Sequence, residues 1–192
     1  GQGSGGLSSL TADSGEYRRQ EGIVELRGQV AASSAKGDRI QCERLLLKFS
    51  PEANRSEWAR AYGSVRGTLT AAEARAAEKT YSASEGILYF DAGGDVRSVG
   101  LTGSPAPVSE PNRQLSASSV ELDLAGGRPV SSRAKGDVRL RSDRGNAQAR
   151  LASASFTPTG DFQTLELEGD VVLEAEGRRG LADRVVDLPD RG

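Results

Sequence analysis

The sequence predicts an all-β protein built of about five repeats of short antiparallel strands, on three observations. An apolar residue and a glycine recur at near-regular spacing, apolar and polar residues alternate around that glycine, and Gly- and Asp-rich segments separate the alternating runs.

The repeat is an apolar residue, any residue, Gly, any residue and an apolar residue. It occurs as Leu26-Arg27-Gly28-Gln29-Val30, Val65-Arg66-Gly67-Thr68-Leu69, Leu101-Thr102-Gly103-Ser104-Pro105, Ala134-Lys135-Gly136-Asp137-Val138 and Leu167-Glu168-Gly169-Asp170-Val171. A second element follows each glycine by 13 to 16 residues and sets a small residue ahead of an apolar stretch: Cys42, Ala83, Ala117, Ala152 and Ala182. A sixth copy, Ala12 to Tyr17, precedes the first glycine.

Parity decides which secondary structure carries these elements, because a strand sends alternate residues to one face. Leu165, Leu167, Gly169, Val171 and Leu173 share a face against Glu166, Glu168 and Asp170, and Val24, Leu26, Gly28 and Val30 do the same against Glu25, Arg27 and Gln29. The glycine therefore faces inward, where it marks a bend, a bulge or the close approach of another chain. Turn compositions stand at Ala35–Asp38, Asp91–Asp95, Ala125–Pro129, Ser142–Asn146 and Glu176–Gly180. An antiparallel sandwich, a jellyroll and a solenoid all satisfy this pattern.

Three segments depart from it. Ala71–Lys79 has strong helix propensity where other units place a turn and a strand; tertiary context favours strand, with a short helix as the alternative. Pro51–Arg60, with Trp58, lengthens the first unit and reads as a surface loop. Pro105 and Pro107 suggest an edge or interrupted strand in the third unit.

Composition narrows the chemistry. The 192 residues fit one elongated domain over 10–190, preceded by a Gly- and Ser-rich linker over 1–9. Net charge is -2, with 25 basic and 27 acidic residues interspersed, so no basic surface marks a nucleic-acid partner. There is no histidine and one cysteine, Cys42, which removes most acid-base, thiol and zinc chemistry and reads as a small buried apolar residue. No cofactor or metal is expected, and no apolar run approaches the ~20 residues of a membrane helix. Asp137, Asp170, Asp183 and Asp187 are the carboxylates a polysaccharide-cleaving repeat protein would use, but they occupy repeat-equivalent or turn positions typical of solvated charge. The chain is not expected to be an enzyme.

Gly169-Asp170-Val171, followed by Ala182-Asp183-Arg184-Val185-Val186, resembles the OstA-like domain family of LptA, LptC and the amino-terminal part of LptD. Ala12-Asp13 through Tyr17, ahead of Val24–Val30, resembles the same signature in its other half-step, and the resemblance runs from Ala12 to Leu188. It implies an elongated, twisted β-jellyroll opened like a V, a periplasmic location with any inner-membrane anchor outside this chain, and a role in moving lipopolysaccharide to the outer membrane. It also implies two kinds of partner: lipopolysaccharide or a related lipid in an apolar groove, and other jellyroll domains, including further copies, joined through edge strands. The groove-lining candidates are Leu26, Val30, Leu45, Leu47, Val65, Leu69, Ile87, Tyr89, Leu101, Val120, Leu122, Val138, Leu140, Leu167, Val171, Leu173 and Val185. The same residues serve equally as core, and a scaffold that polymerises without cargo is the alternative.

Overall fold

The computed structural model describes residues 7–34, 37–50, 55–69, 79–110, 113–126, 128–143, 145–158 and 162–187. Among them are twelve strands: β1 (Leu7–Thr11), β2 (Ser14–Arg18), β3 (Ile23–Ser34), β4 (Arg39–Ser50), β5 (Arg55–Leu69), β6 (Lys79–Phe90), β7 (Val96–Glu110), β8 (Arg113–Ala125), β9 (Arg128–Ser142), β10 (Gly145–Phe156), β11 (Phe162–Ala175) and β12 (Arg178–Asp187). The fold is all-β, as the alternation predicts. One sheet holds every strand in chain order, and all pairs are antiparallel. β1 and β2 lie end to end along β3, opposite Ala31–Ser34 and Ile23–Arg27, so together they form one strand interrupted at Ala12-Asp13.

The strands are longer than the short runs visible in the sequence, with 15 residues each in β5, β7 and β9. The difference has one cause: the glycine bends a strand without ending it. Gly28-Gln29, Gly63-Ser64, Gly136-Asp137 and Gly169-Asp170 each place two successive residues at positive φ, between +42° and +78°. The pairing register shifts at each place, so that two residues oppose one on the neighbouring strand. Such a bulge bends and twists its strand.

The turns form where the composition places them. Asp91 closes the β6–β7 turn by accepting hydrogen bonds on its Oδ1 from the Gly93 and Asp95 amides, at 2.8 and 3.0 Å. Glu176 and Gly177, at φ +51° and +75°, form the two-residue turn between β11 and β12, in the mirror-image geometry that suits strand twist.

Three expectations change. In the second unit the bulge glycine is Gly63, in Ala61-Tyr62-Gly63-Ser64-Val65; Gly67 has no positive φ and instead leaves space for the Tyr81 ring, which a β-carbon at 67 would overlap. Within Pro51–Arg60, residues 55–60 belong to β5 and not to a loop: Trp58 pairs with Lys48 and Tyr89, since its large ring suits the pleated surface. β7 is interrupted at 103–105, as its prolines suggest, but it is not an edge, lying between β6 and β8. On the β6 side its pairing stops at Thr102 and resumes at Val108, which spans the residues whose missing N–H groups cannot serve a ladder. Residues 70–78, the helix-or-strand segment apart from Lys79, lie outside the described residues.

Candidate functional site

The bends lie midway along successive strands and align into a crease across the sheet. Burial is deepest there. Val30, Val65, Val138 and Val171, each two residues after its bulge glycine, are at most 1% exposed. Each stands opposite a small residue on the next strand: Cys42, Ala83, Ala149 and Ala182 respectively, Ala149 taking the place that the sequence spacing assigned to Ala152, which pairs with Ala134 instead. A valine over an alanine or cysteine lets the two arms of a bent strand converge without overpacking. Cys42 is buried as expected, and that burial pushes its thiol pKa up, away from the thiolate form.

Away from the crease the same face opens. Leu47, Leu122, Leu140 and Leu173 point inward but are only half-buried, whereas Leu45, Leu101, Val120 and Leu167, nearer the bend, are buried with the valines; Val185, level with Leu167 but on the edge strand β12, is half-buried. Among the described residues, Cα atoms of different strands approach within 8 Å only between hydrogen-bonded neighbours, so no second ladder closes one arm onto the other. The section is a wedge, closed at the crease and lined with aliphatic groups toward its mouth.

Fourteen of the proposed lining residues share this inner face: the nine just named, the four crease valines, and Leu26, which is half-buried against the core. Leu69 ends β5 opposite Lys79. Ile87 and Tyr89 face the other way, in register with Arg60 and Trp58, while Gly86, Leu88 and Phe90 point inward. The bulge explains this correction. It shifts parity within each partner strand, so the inward positions after Cys42 are Leu45 and Leu47, and after Ala83 they are Gly86 and Leu88. Ile40, Val99 and Leu115 also pack inward and were absent from the sequence reading, and Leu165, which alternation places on the inward face, packs there without having been among the lining candidates.

The outer face is polar and laced with arginine. Glu25 is 1% exposed, yet it sits on this face, covered by guanidinium groups. Its carboxylate accepts hydrogen bonds from Arg27 Nε at 2.6 Å, Arg44 Nε at 2.7 Å and Arg18 Nη2 at 2.6 Å. The Arg27 hydrogen bond, with that of Arg44, holds the Glu25 pKa below the usual carboxylate range against the opposing effect of its desolvation. Arg44 then lies over the Tyr62 ring, 5.6 Å from its centre, so a charged and aromatic chain ties β2 to β5. Arg60 over Trp58 and Arg97 over Tyr89 continue the pattern. Asp137 pairs with Arg139 at 3.1 Å and Asp170 with Arg150, both at bulges, where aspartate tolerates positive φ.

The remaining feature is the pair of open edges. Among the described residues, five large apolar side chains are exposed, and four of them lie on edge strands: Leu10 on β1, Tyr17 on β2, and Leu181 and Val186 on β12. Leu181 is 74% exposed.

Bulged antiparallel strands with an aliphatic inner face and, among the described residues, two unpaired edges define an open β-jellyroll. A comparison with solved structures agrees at the level of fold. The chain is similar to LptH, the LptA-homologous periplasmic component of the conserved lipopolysaccharide transport device from Pseudomonas aeruginosa, with a TM-score of 0.50 and 15% identity, over 60% of this chain and 74% of that one. Neither a protein-family model nor a curated sequence matches this chain.

Proposed function

We propose that the chain is a periplasmic bridge component for lipopolysaccharide transport to the outer membrane, sheltering acyl chains between the arms of its wedge and joining partner jellyrolls edge to edge. The observation that carries this reading is the gradient of burial on the inner face. Leu140 and Leu173 remain half-buried beside the fully buried Val138 and Val171, which leaves a partly open aliphatic surface along the flanks of the crease. Acyl chains laid along that surface bury it at about 25 cal/mol per Å². Likeness of fold to LptH supports the reading, and the exposed apolar residues of β1, β2 and β12 support edge pairing.

Photo-crosslinking tests it. A crosslinker at position 140 or 173 labels purified lipopolysaccharide, and one at outward-facing position 87 does not. Absence of labelling at 140 and 173, or equal labelling at 87, overturns the cargo role. Edge pairing without labelling is the outcome that a scaffold lacking cargo produces.

A further inference from the structure

The bulges follow a rule that reaches the free edge of β12. Strands alternate between two kinds. One kind carries the Gly-x bulge: β3, β5, β9 and β11, with β7 broken at the same level. The other carries a small residue followed by a residue that fits against the bulge: Ala12-Asp13, Cys42-Glu43, Ala83-Ser84, Ala117-Ser118, Ala149-Arg150 and Ala182-Asp183. The fit is steric. A β-carbon on Gly28 would overlap Asp13, one on Gly63 would overlap Glu43, one on Gly136 would overlap Ser118, and one on Gly169 would crowd Arg150.

The small-residue strands that lie between two Gly-x strands, β4 and β10, are held from both sides. Glu43 faces the Gly28-Gln29 bulge across one ladder and Gly63-Ser64 across the other, and Arg150 faces Gly136-Asp137 and Gly169-Asp170. Asp183 faces Gly169-Asp170 on one side only. On the other side of β12 no strand is paired among the described residues.

We infer that the free edge of β12 is a docking site for an antiparallel strand of a partner jellyroll that carries Gly-x-Val, with the glycine against Asp183 and the valine against Ala182. The inference rests on the proposed edge pairing and specifies its partner. Between the two edges of the described residues, it also excludes the simplest self-assembly. β12 and the β1–β2 strand are both of the small-residue kind, and they run in the same direction, since ten antiparallel pairings separate them. Copies stacked by translation would meet in parallel, with Asp183 beside Asp13 and no bulge to receive either. Two β12 edges related by a two-fold axis would be antiparallel but would bring Asp183 toward its own copy, and like charges directly across a ladder are destabilising.

Synthetic peptides added to the full chain test this, with hydrogen exchange of the β12 amides as the readout. A peptide with the sequence of residues 164–175 supplies the Gly-x-Val strand, the same peptide with its glycine replaced by valine removes the bulge, and a third peptide copies β12. The first protects β12, and the valine peptide binds roughly 5- to 30-fold more weakly, as a left-handed site costing about 1–2 kcal/mol for a residue with a side chain implies. Chain alone at rising concentration shows no added protection of β12. The inference is overturned if no peptide protects β12, if the glycine and valine peptides bind equally, if the β12 copy binds as well as the first, or if the chain protects its own β12. Lipopolysaccharide crosslinking at position 173 is read in the same preparations, so failure of cargo binding and failure of strand selection separate.

Discussion

The backbone of Gly28 lies directly against Asp13: the Asp13 amide donates to the carbonyls of Gly28 and Arg27, at 3.0 and 3.1 Å, and the Asp13 carboxyl occupies the place a β-carbon on Gly28 would take. The φ of +74° adds a second reason for glycine. Gly28→Ala is therefore expected to lower stability by at least ~1–2 kcal/mol from backbone strain alone, with the overlap in addition. Chemical denaturation measures the loss. A neutral result would show that the bulge does not require glycine.

Leu167 and Leu173 share a strand and a face but differ in depth, one buried at the crease and one half-buried on the flank. Leu167→Ala is expected to destabilise the fold by about 2–5 kcal/mol. Leu173→Ala costs clearly less stability and, under the proposed function, weakens lipopolysaccharide binding. Denaturation and lipid titration on the same two variants give the comparison, and reversed ranks would contradict the wedge.

Glu25 gives the fold an acid-sensitive clamp. Its pKa lies below the ordinary value of 4.5 in the folded state, because of Arg27 first and Arg44 with it. The contribution is thus present above that value and is lost as pH falls through the lowered folded pKa. Glu25→Gln is expected to reduce the melting temperature at neutral pH and to leave it nearly unchanged in acid below the folded pKa, as calorimetry at the two pH values would show. An equal reduction at both would assign Glu25 a packing role only.

Tyr81 predicts the opposite limb. Burial beneath Gly67 pushes its phenol pKa up to about 12 from 10.0, because the phenolate would be desolvated. The neutral form stabilises the fold fully below the unfolded value, and that contribution declines as pH rises from about 10 toward 12. Ultraviolet titration should show a tyrosine ionisation near pH 12, and Tyr81→Phe should remove that step.

The fold class and the recurring glycine were legible because parity and turn chemistry are local. The choice between Gly63 and Gly67 was not, since both sit in an apolar-x-Gly-x-apolar setting; what separates them is the Tyr81 ring, which comes from a different strand. Ile87 and Tyr89 were misplaced for a related reason. The run Ile87-Leu88-Tyr89-Phe90 is apolar on both faces, so alternation cannot orient it, and only the three-residue step from Ala83 to Gly86 across the bulge does. That step is readable once it is known, because Cys42 to Leu45 and Ala117 to Val120 repeat it. The Glu25 clamp left no sequence signal, as its arginines come from β2, β3 and β4.

Because each strand, with β1 and β2 counted as one, crosses the crease and contributes to both arms, the molecule's cross-section and its length are set independently. Strands at the standard ladder spacing make one Gly-x strand and one small-residue strand together worth roughly 9–10 Å along the axis. Inserting or deleting such a pair would change how far the protein reaches while leaving the bore and the character of both edges as they were. Deleting a single strand would instead exchange one kind of edge for the other, so reach can vary only in steps of two strands if the same neighbours are to be kept.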